Sequence, residues 1–281
     1  AGAPGSTPAA GGTIPAAVTS PDKTDDLLSI RSIVEFADTV PADRIGFIAD
    51  AAAMNEALSA EGLSGSWGHQ VGKRLVSAVR RGRLSDDLSV AAAISAAGAA
   101  DARMAGASMP AMSNSGSGNQ GITATMPVVA VARSLGVSGE RLHRALVLSH
   151  LVAIHQKQHW NRLSAMCGTI AAGTGSAAGI VYLLGGGYAE IAAAVGIMAA
   201  DLAGMVCDGA KPGCAFKVST AATSAVRAAL LAMDGVHVDG SEGIVAASEE
   251  STIDNVARLS SEGMLQADAM VLDMMLGKTG C

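Results

Sequence analysis

The sequence predicts an all-α fold, a multi-helix bundle built from helices rich in small residues. From Leu27 onward, apolar residues recur at spacings of three and four rather than two. Aromatic residues make up only 2% of the chain while Ala, Gly, Ser and Met are abundant, so the core must be made of small side chains that let backbones approach closely. β-branched runs are short, and nothing repeats at the roughly 20 to 50 residue periods of solenoids.

Residues 1–26, rich in Pro, Gly, Ala, Ser and Thr without period, read as a flexible linker or arm, leaving 27–281 as the folded domain. "LLSIRSIVEFADTV" spaces Leu, Ile, Val and Phe along one helical face and is ended by Pro41. "DRIGFIADAAAMNEALSAEGL" repeats that pattern up to a Gly stop, and "WGHQVGKRLVSAVRRG" continues it. "LSDDLSVAAAISAAGAADARMAG" follows, with Ser85 as the expected cap before Asp86 and Asp87. "ITATMPVVAVARSLG" and "GERLHRALVLSHLVAIHQKQHWNRLSAM" give two helices in the region 122–165. Glycine-punctuated helices are expected over 168–185, 187–206 and 215–234, with one or two more in the tail, for ten to twelve in all.

Charge narrows the function classes. The formal net charge is −6, and the short "RRGR" at 80–83 is the densest basic cluster, so there is no electrostatic footprint for nucleic acid. The mean hydropathy of +0.36 raises the question of membrane spans. However, the uncharged stretch from Met166 to Ala189 is broken by seven glycines, and the apolar stretch from Ile191 to Val206 contains Asp201. Neither has the run of about 20 dominantly apolar residues that a spanning helix needs. Four cysteines without a signal peptide are too few for a disulfide scaffold and point to a reducing cytoplasm.

Several motifs invite chemistry. "GSGNQG" at 116–121 fits the dinucleotide fingerprint, but no strand feeds it, which argues against a Rossmann site. The whole loop "SNSGSGNQG", 113–121, ahead of a helix, suits an anion such as a carboxylate: glycines allow tight turns, and Ser113, Asn114, Ser115, Ser117 and Asn119 add donors around Gly116 and Gly118. The plainer alternative is a helix-capping turn. "GTGSAAG" at 173–179 does not form a serine-hydrolase elbow. His150, His155, Lys157 and His159 share one predicted helix; a metal face there competes with ordinary histidines bearing one hydrogen bond each. Cys207 and Cys214 bracket a stiff loop with Pro212 and Gly213, and a helical hairpin over the intervening residues would return Cys167 to the same end. Three thiolates would then converge, with spacing wider than structural zinc prefers and compatible with an iron–sulfur cluster. Buried free cysteines are the alternative.

Together, "SNSGSGNQG", "LSHLVAIHQKQHWNRLSAMCG" and "CDGAKPGCAFKVSTA" resemble the L-cysteine desulfidase family and, more distantly, the α-domain of iron–sulfur L-serine dehydratases, from about Leu27 to the end of the chain. The resemblance implies a [4Fe–4S] cluster on Cys167, Cys207 and Cys214, held in a helical catalytic domain that usually forms homo-oligomers. It also implies an α,β-elimination that turns L-cysteine, L-serine or a similar small amino acid into pyruvate, ammonia and sulfide or water. The 113–119 loop and Lys211 would bind the substrate, and His150 or Lys157 would act as base. The family's N-terminal region, with its Cys-Thr-Glu-Pro motif, is missing from this sequence and is expected as a removed or separate partner. Cys281 on the "GKTGC" tail is a candidate to reach the site, as in some serine dehydratases, or else a solvent-exposed thiol. The competing reading is a non-catalytic helical assembly subunit without metal.

Overall fold

A computed structural model describes residues 28–160 and 163–278. The arm assigned to 1–26 and Cys281 lie outside the described residues. Among the described residues the chain is all helical and has no strand. The helices are α1 (Ile30–Thr39), α2 (Ala42–Ile45), α3 (Ala49–Ser64), α4 (Val71–Arg80), α5 (Leu88–Met104), α6 (Gly118–Ser134), α7 (Glu140–Gln158), α8 (Thr169–Leu184), α9 (Tyr188–Leu202), α10 (Cys214–Met233), α11 (Glu249–Arg258) and α12 (Leu265–Leu276). A short 3₁₀ turn, Gly46–Ile48, joins α2 to α3, and a π turn, Leu259–Gly263, follows α11. No described helix is long and apolar enough to cross a membrane.

Local chemistry explains most boundaries. Ser29 and Ser32 cap α1 reciprocally: the Ser32 backbone N–H donates to Ser29 Oγ at 3.1 Å, and the Ser29 N–H to Ser32 Oγ at 2.9 Å. Ile30, Ile33, Val34 and Ala37 of that helix face the core. The cap of α5 is Asp87 rather than Ser85, because the Asp87 carboxylate accepts the Val90 N–H at 2.9 Å and complements the helix dipole as well. Gly62 does not stop α3. The helix runs on to Ser64, and Gly62 is instead a point of close approach, where a Cβ would lie 1.8 Å from the Gly98 carbonyl of α5.

α6 and α8 are buried along nearly their whole length and form the centre of the bundle. α8 packs against α7, α10, α6 and α9. Its small residues decide how closely. A Cβ at Gly175 would come within 2.2 Å of the Ser149 carbonyl, and one at Gly179 within 2.7 Å of the Ala145 carbonyl. Small residues spaced four apart on both helices thus bring α7 and α8 into backbone contact. This close seam fixes how Lys157, near the end of α7, sits relative to Cys167, just before α8.

Candidate functional site

The α8–α9 pair is a helical hairpin, and its two open ends are stitched by a single antiparallel bridge between Met166 and Val206. The Cys167 N–H donates to the Met205 carbonyl at 2.8 Å and the Cys207 N–H to the Ala165 carbonyl at 2.6 Å. The bridge sets the two cysteines side by side, close enough for each thiol to act on the other's ionisation. The neighbouring Cys207 pushes the buried Cys167 thiol above the usual range, with burial adding to the effect. In return the Cys167 thiol lowers Cys207 to about 6, aided by the Gly209 N–H and the Lys217 ammonium against the cost of burial.

Cys214 opens α10, and its thiol donates to the Gly209 carbonyl at 3.6 Å. Gly209, at φ +87°, therefore joins Cys207 to Cys214 through its N–H and its carbonyl. The first turns of α8 and α10 both begin here, turning the positive ends of two helices toward the sulfurs. As the side chains stand, no group of three His, Cys, Asp or Glu among the described residues is gathered closely enough to hold a metal ion. Lys211 does not reach outward toward a substrate. Its ammonium pairs with Asp208 at 2.5 Å and with the Asp208 carbonyl at 2.9 Å, bracing the loop from within. A cation that bears on Cys207 is Lys217, which also pairs with Asp208 and reaches the Val206 carbonyl at 2.6 Å. Sequence reasoning missed it, although its place three residues after Cys214 puts it on the same helical face.

The 113–119 loop is a tight turn followed by a helix start. Asn114 and Ser117 exchange backbone hydrogen bonds of 3.1 and 2.9 Å around Ser115 at φ +49° and Gly116 at φ +80°. Ser117 caps α6, so Gly118 and Asn119 belong to its first turn rather than to a free loop. The Asn119 side-chain oxygen accepts from Arg103 at 3.0 Å, and Ser115 Oγ donates to Asn114 Oδ1 at 2.9 Å. The residue that opens onto the cleft is Ser115. With Ile154, Lys157, Gln158 and Trp160 it lines a cavity of about 310 Å³. Lys157 lies over the Trp160 ring at 5.2 Å, and burial lowers its ammonium against the opposing pull of Cys207 and Cys167. Ser115, Lys157 and the cysteine pair thus form one connected region.

Ser113 and His150 face elsewhere, lining a larger apolar cleft of about 680 Å³ with Phe36 and Phe47. Thr125 gives its hydroxyl hydrogen to the Gly121 carbonyl at 2.7 Å, so His150 Nε2, 3.0 Å away, must be the donor of their contact. Nδ1 is then the acceptor for the Asn114 amide at 3.2 Å, while the same amide also donates to the His150 carbonyl at 3.1 Å. Both imidazole nitrogens are used, anchoring the 114–117 turn to α7. The predicted shared face of histidines is split: His155 and His159 stay together, with ring centroids 5.1 Å apart, and turn to Glu250 at 2.7 Å and Asp254 at 3.3 Å on α11, while His150 faces away from them.

Burial drives His150 down from 6.5 to about 4. The folded state therefore refuses a proton that the unfolded chain accepts, so stability is full above pH 6.5 and is lost as pH falls toward 4. The loss attributable to this ring is on the order of 3 kcal/mol. Urea unfolding of wild type and His150→Gln at both ends of that window should show a steep fall in wild type and a shallower one in the variant; parallel falls would contradict the assignment.

The family now follows from comparison. The serine dehydratase alpha chain model matches residues 12–273. The chain belongs to this family. Among its relatives, the "UPF0597 protein" of Oleidesulfovibrio alaskensis is 50% identical over 251 residues, covering 89% of this chain and 59% of the relative. That of Shewanella pealeana is 51% identical over 249 residues, covering 89% and 58%. "UPF0597 protein YhaM" of Salmonella typhimurium is 50% identical over 250 residues, covering 89% and 57%. The chain spans just under three fifths of the length of these relatives. Within the serine dehydratase alpha chain match lie the hairpin, the cysteine loop and the Ser115 turn, so the geometry above is that of a family domain rather than of an appended segment.

The donor set fits a group held through sulfur. A thiol with a lowered pKa, a second thiol beside it and a third bonded to the Gly209 carbonyl supply soft ligands, and two helix N-termini with Lys217 and Lys157 supply the compensating positive field.

Proposed function

We propose that this chain is the cluster-binding domain of an iron–sulfur lyase that eliminates the β-substituent of L-cysteine or a similar amino acid such as L-serine. The observation that carries the reading is the Cys167–Cys207 pair, set together by the Met166–Val206 bridge, next to a cavity lined by Ser115 and Lys157. Cys167, Cys207 and Cys214 would hold a [4Fe–4S] cluster, which when bound supplies a Lewis-acidic iron that makes a β-thiol or β-hydroxyl a better leaving group.

The chain's own residues supply the rest. The Ser115 hydroxyl, fixed by Asn114, is placed to meet the substrate carboxylate at the cavity wall. Lys157, with its ammonium destabilised by burial, is suited to pass through the neutral amine and accept the Cα proton. As that proton leaves, its electron pair forms the Cα–Cβ double bond and the Cβ–S or Cβ–O bond breaks, releasing hydrosulfide or hydroxide. The resulting aminoacrylate takes up a proton at Cβ to become an imine, and water hydrolyses this to pyruvate and ammonia. His150 keeps the Asn114 turn in place and is a positioning residue in this scheme. Gly168, Ala165 and the α7–α8 seam keep Lys157 and the sulfurs at fixed separation.

The test is anaerobic reconstitution with iron and sulfide, followed by measurement of iron and acid-labile sulfide per chain and of pyruvate from L-cysteine and L-serine. The experiment is run with and without the segment that the longer relatives possess. Bound iron with equal sulfide, and pyruvate from at least one amino acid, are expected. A protein that remains colourless and retains no sulfide in both arms would remove the reading.

A further inference from the structure

The first turn of α6 carries a polar side chain that neither the capping of that helix nor the Ser115 cavity explains. Gln120 is 4% exposed, and its Nε2 is buried with no hydrogen-bond partner. A buried amide donor without an acceptor is costly, so its retention needs a reason. Its position gives one. The side chain packs against Gly168, where a Cβ would come within 2.4 Å of Gln120 Oε1, 2.6 Å of Cδ and 2.9 Å of Cγ. Gly168 is the cap of α8 and directly follows Cys167, so the glycine is what lets the amide approach the residue next to that sulfur. The N-termini of α6 and α8 abut here, and the orphaned donor adds to the positive ends of both.

We propose that Gln120 is a positioning residue whose side-chain N–H donates to an anionic sulfur of the group held at Cys167, thiolate or inorganic sulfide. The inference rests on the reading that Cys167 holds such a group. The Cys167 thiol is engaged with Thr169 Oγ1 at 3.1 Å, so the Gln120 amide is left as a donor to further negative charge on sulfur. Hydrogen bonds to cluster sulfurs favour the more negative reduced form and resist ligand loss.

The experiment compares reconstituted wild type, Gln120→Leu and Gln120→Glu, the first removing the amide and the second keeping its shape without the N–H donors. Both variants should release iron to a chelator about 10- to 100-fold faster. Both should show a more negative reduction potential and an altered visible spectrum. Metal-free Gln120→Leu should melt no lower than metal-free wild type, because no hydrogen bond is lost. A lower melting temperature for metal-free Gln120→Leu, or its failure to fold, would show a structural role and overturn the proposal. Unchanged iron release, spectrum and potential in both variants would overturn it too, including the case in which only KM rises and the amide serves the substrate carboxylate. Wild type that binds no iron and sulfide would overturn both this inference and the reading beneath it, whereas loaded wild type with indifferent variants sinks the inference alone.

Discussion

Cys207→Ser is expected to abolish iron retention and pyruvate formation while leaving the helical fold intact. The thiol it replaces is the one lowered to about 6, so at neutral pH it would supply the charge that the proposed cluster needs. A serine hydroxyl stays protonated there and is a hard donor where soft thiolate is wanted. The backbone contribution of this position survives, since the bond from the Cys207 N–H to the Ala165 carbonyl does not involve the side chain. Iron affinity should fall by at least about 100-fold, with an unchanged far-ultraviolet spectrum and an unfolding midpoint close to wild type for the metal-free proteins. Cys167→Ser should lose iron as well, but it also buries a hydroxyl beside Thr169, so Cys207→Ser is the cleaner variant. Wild-type iron content in Cys207→Ser would remove this cysteine from the ligand set.

Lys157→Met is expected to lower kcat for pyruvate formation by roughly 10²- to 10⁴-fold, the usual worth of a positioned base, with iron and sulfide content unchanged. Methionine keeps most of the unbranched stem that lies against Trp160 and removes only the amine, so the cavity keeps its shape. His150→Gln supplies the contrast. Because the imidazole holds the Asn114 turn rather than facing the sulfurs, its loss should raise KM more than it lowers kcat. If Lys157→Met retains wild-type kcat and His150→Gln loses it, the two roles have been assigned the wrong way round.

Much of the bundle was legible in the sequence. The spacing of Ile30, Ile33, Val34 and Ala37 and the punctuation by Pro41 mark α1, and the glycine-separated stretches around 168–185, 187–206 and 215–234 give α8, α9 and α10 to within a few residues. These are local effects, in which each residue's preference is set by neighbours one turn away. The errors were local too. Ser85 competed with Asp87 for the same cap, Gly62 was read as a terminator where it is a crossing point, and His69 and Gln70 lie in a left-handed turn ahead of α4 rather than inside it.

What the sequence determined by itself was the set of helices, the small-residue faces that permit close packing, and three cysteines at the ends of helices. Only the tertiary structure decided what those side chains meet. A helix places residues by their angle around its own axis, but which neighbour stands at that angle depends on how two helices cross. Thus α7 carries both His150 and Lys157, yet the first is locked between Asn114 and Thr125 while the second lies where the charge of the cysteines acts on it. Lys211 closes back on Asp208, and Gln120 comes to rest on Gly168, 48 positions away in sequence by the difference of their numbers, because the bundle brings two helix starts together.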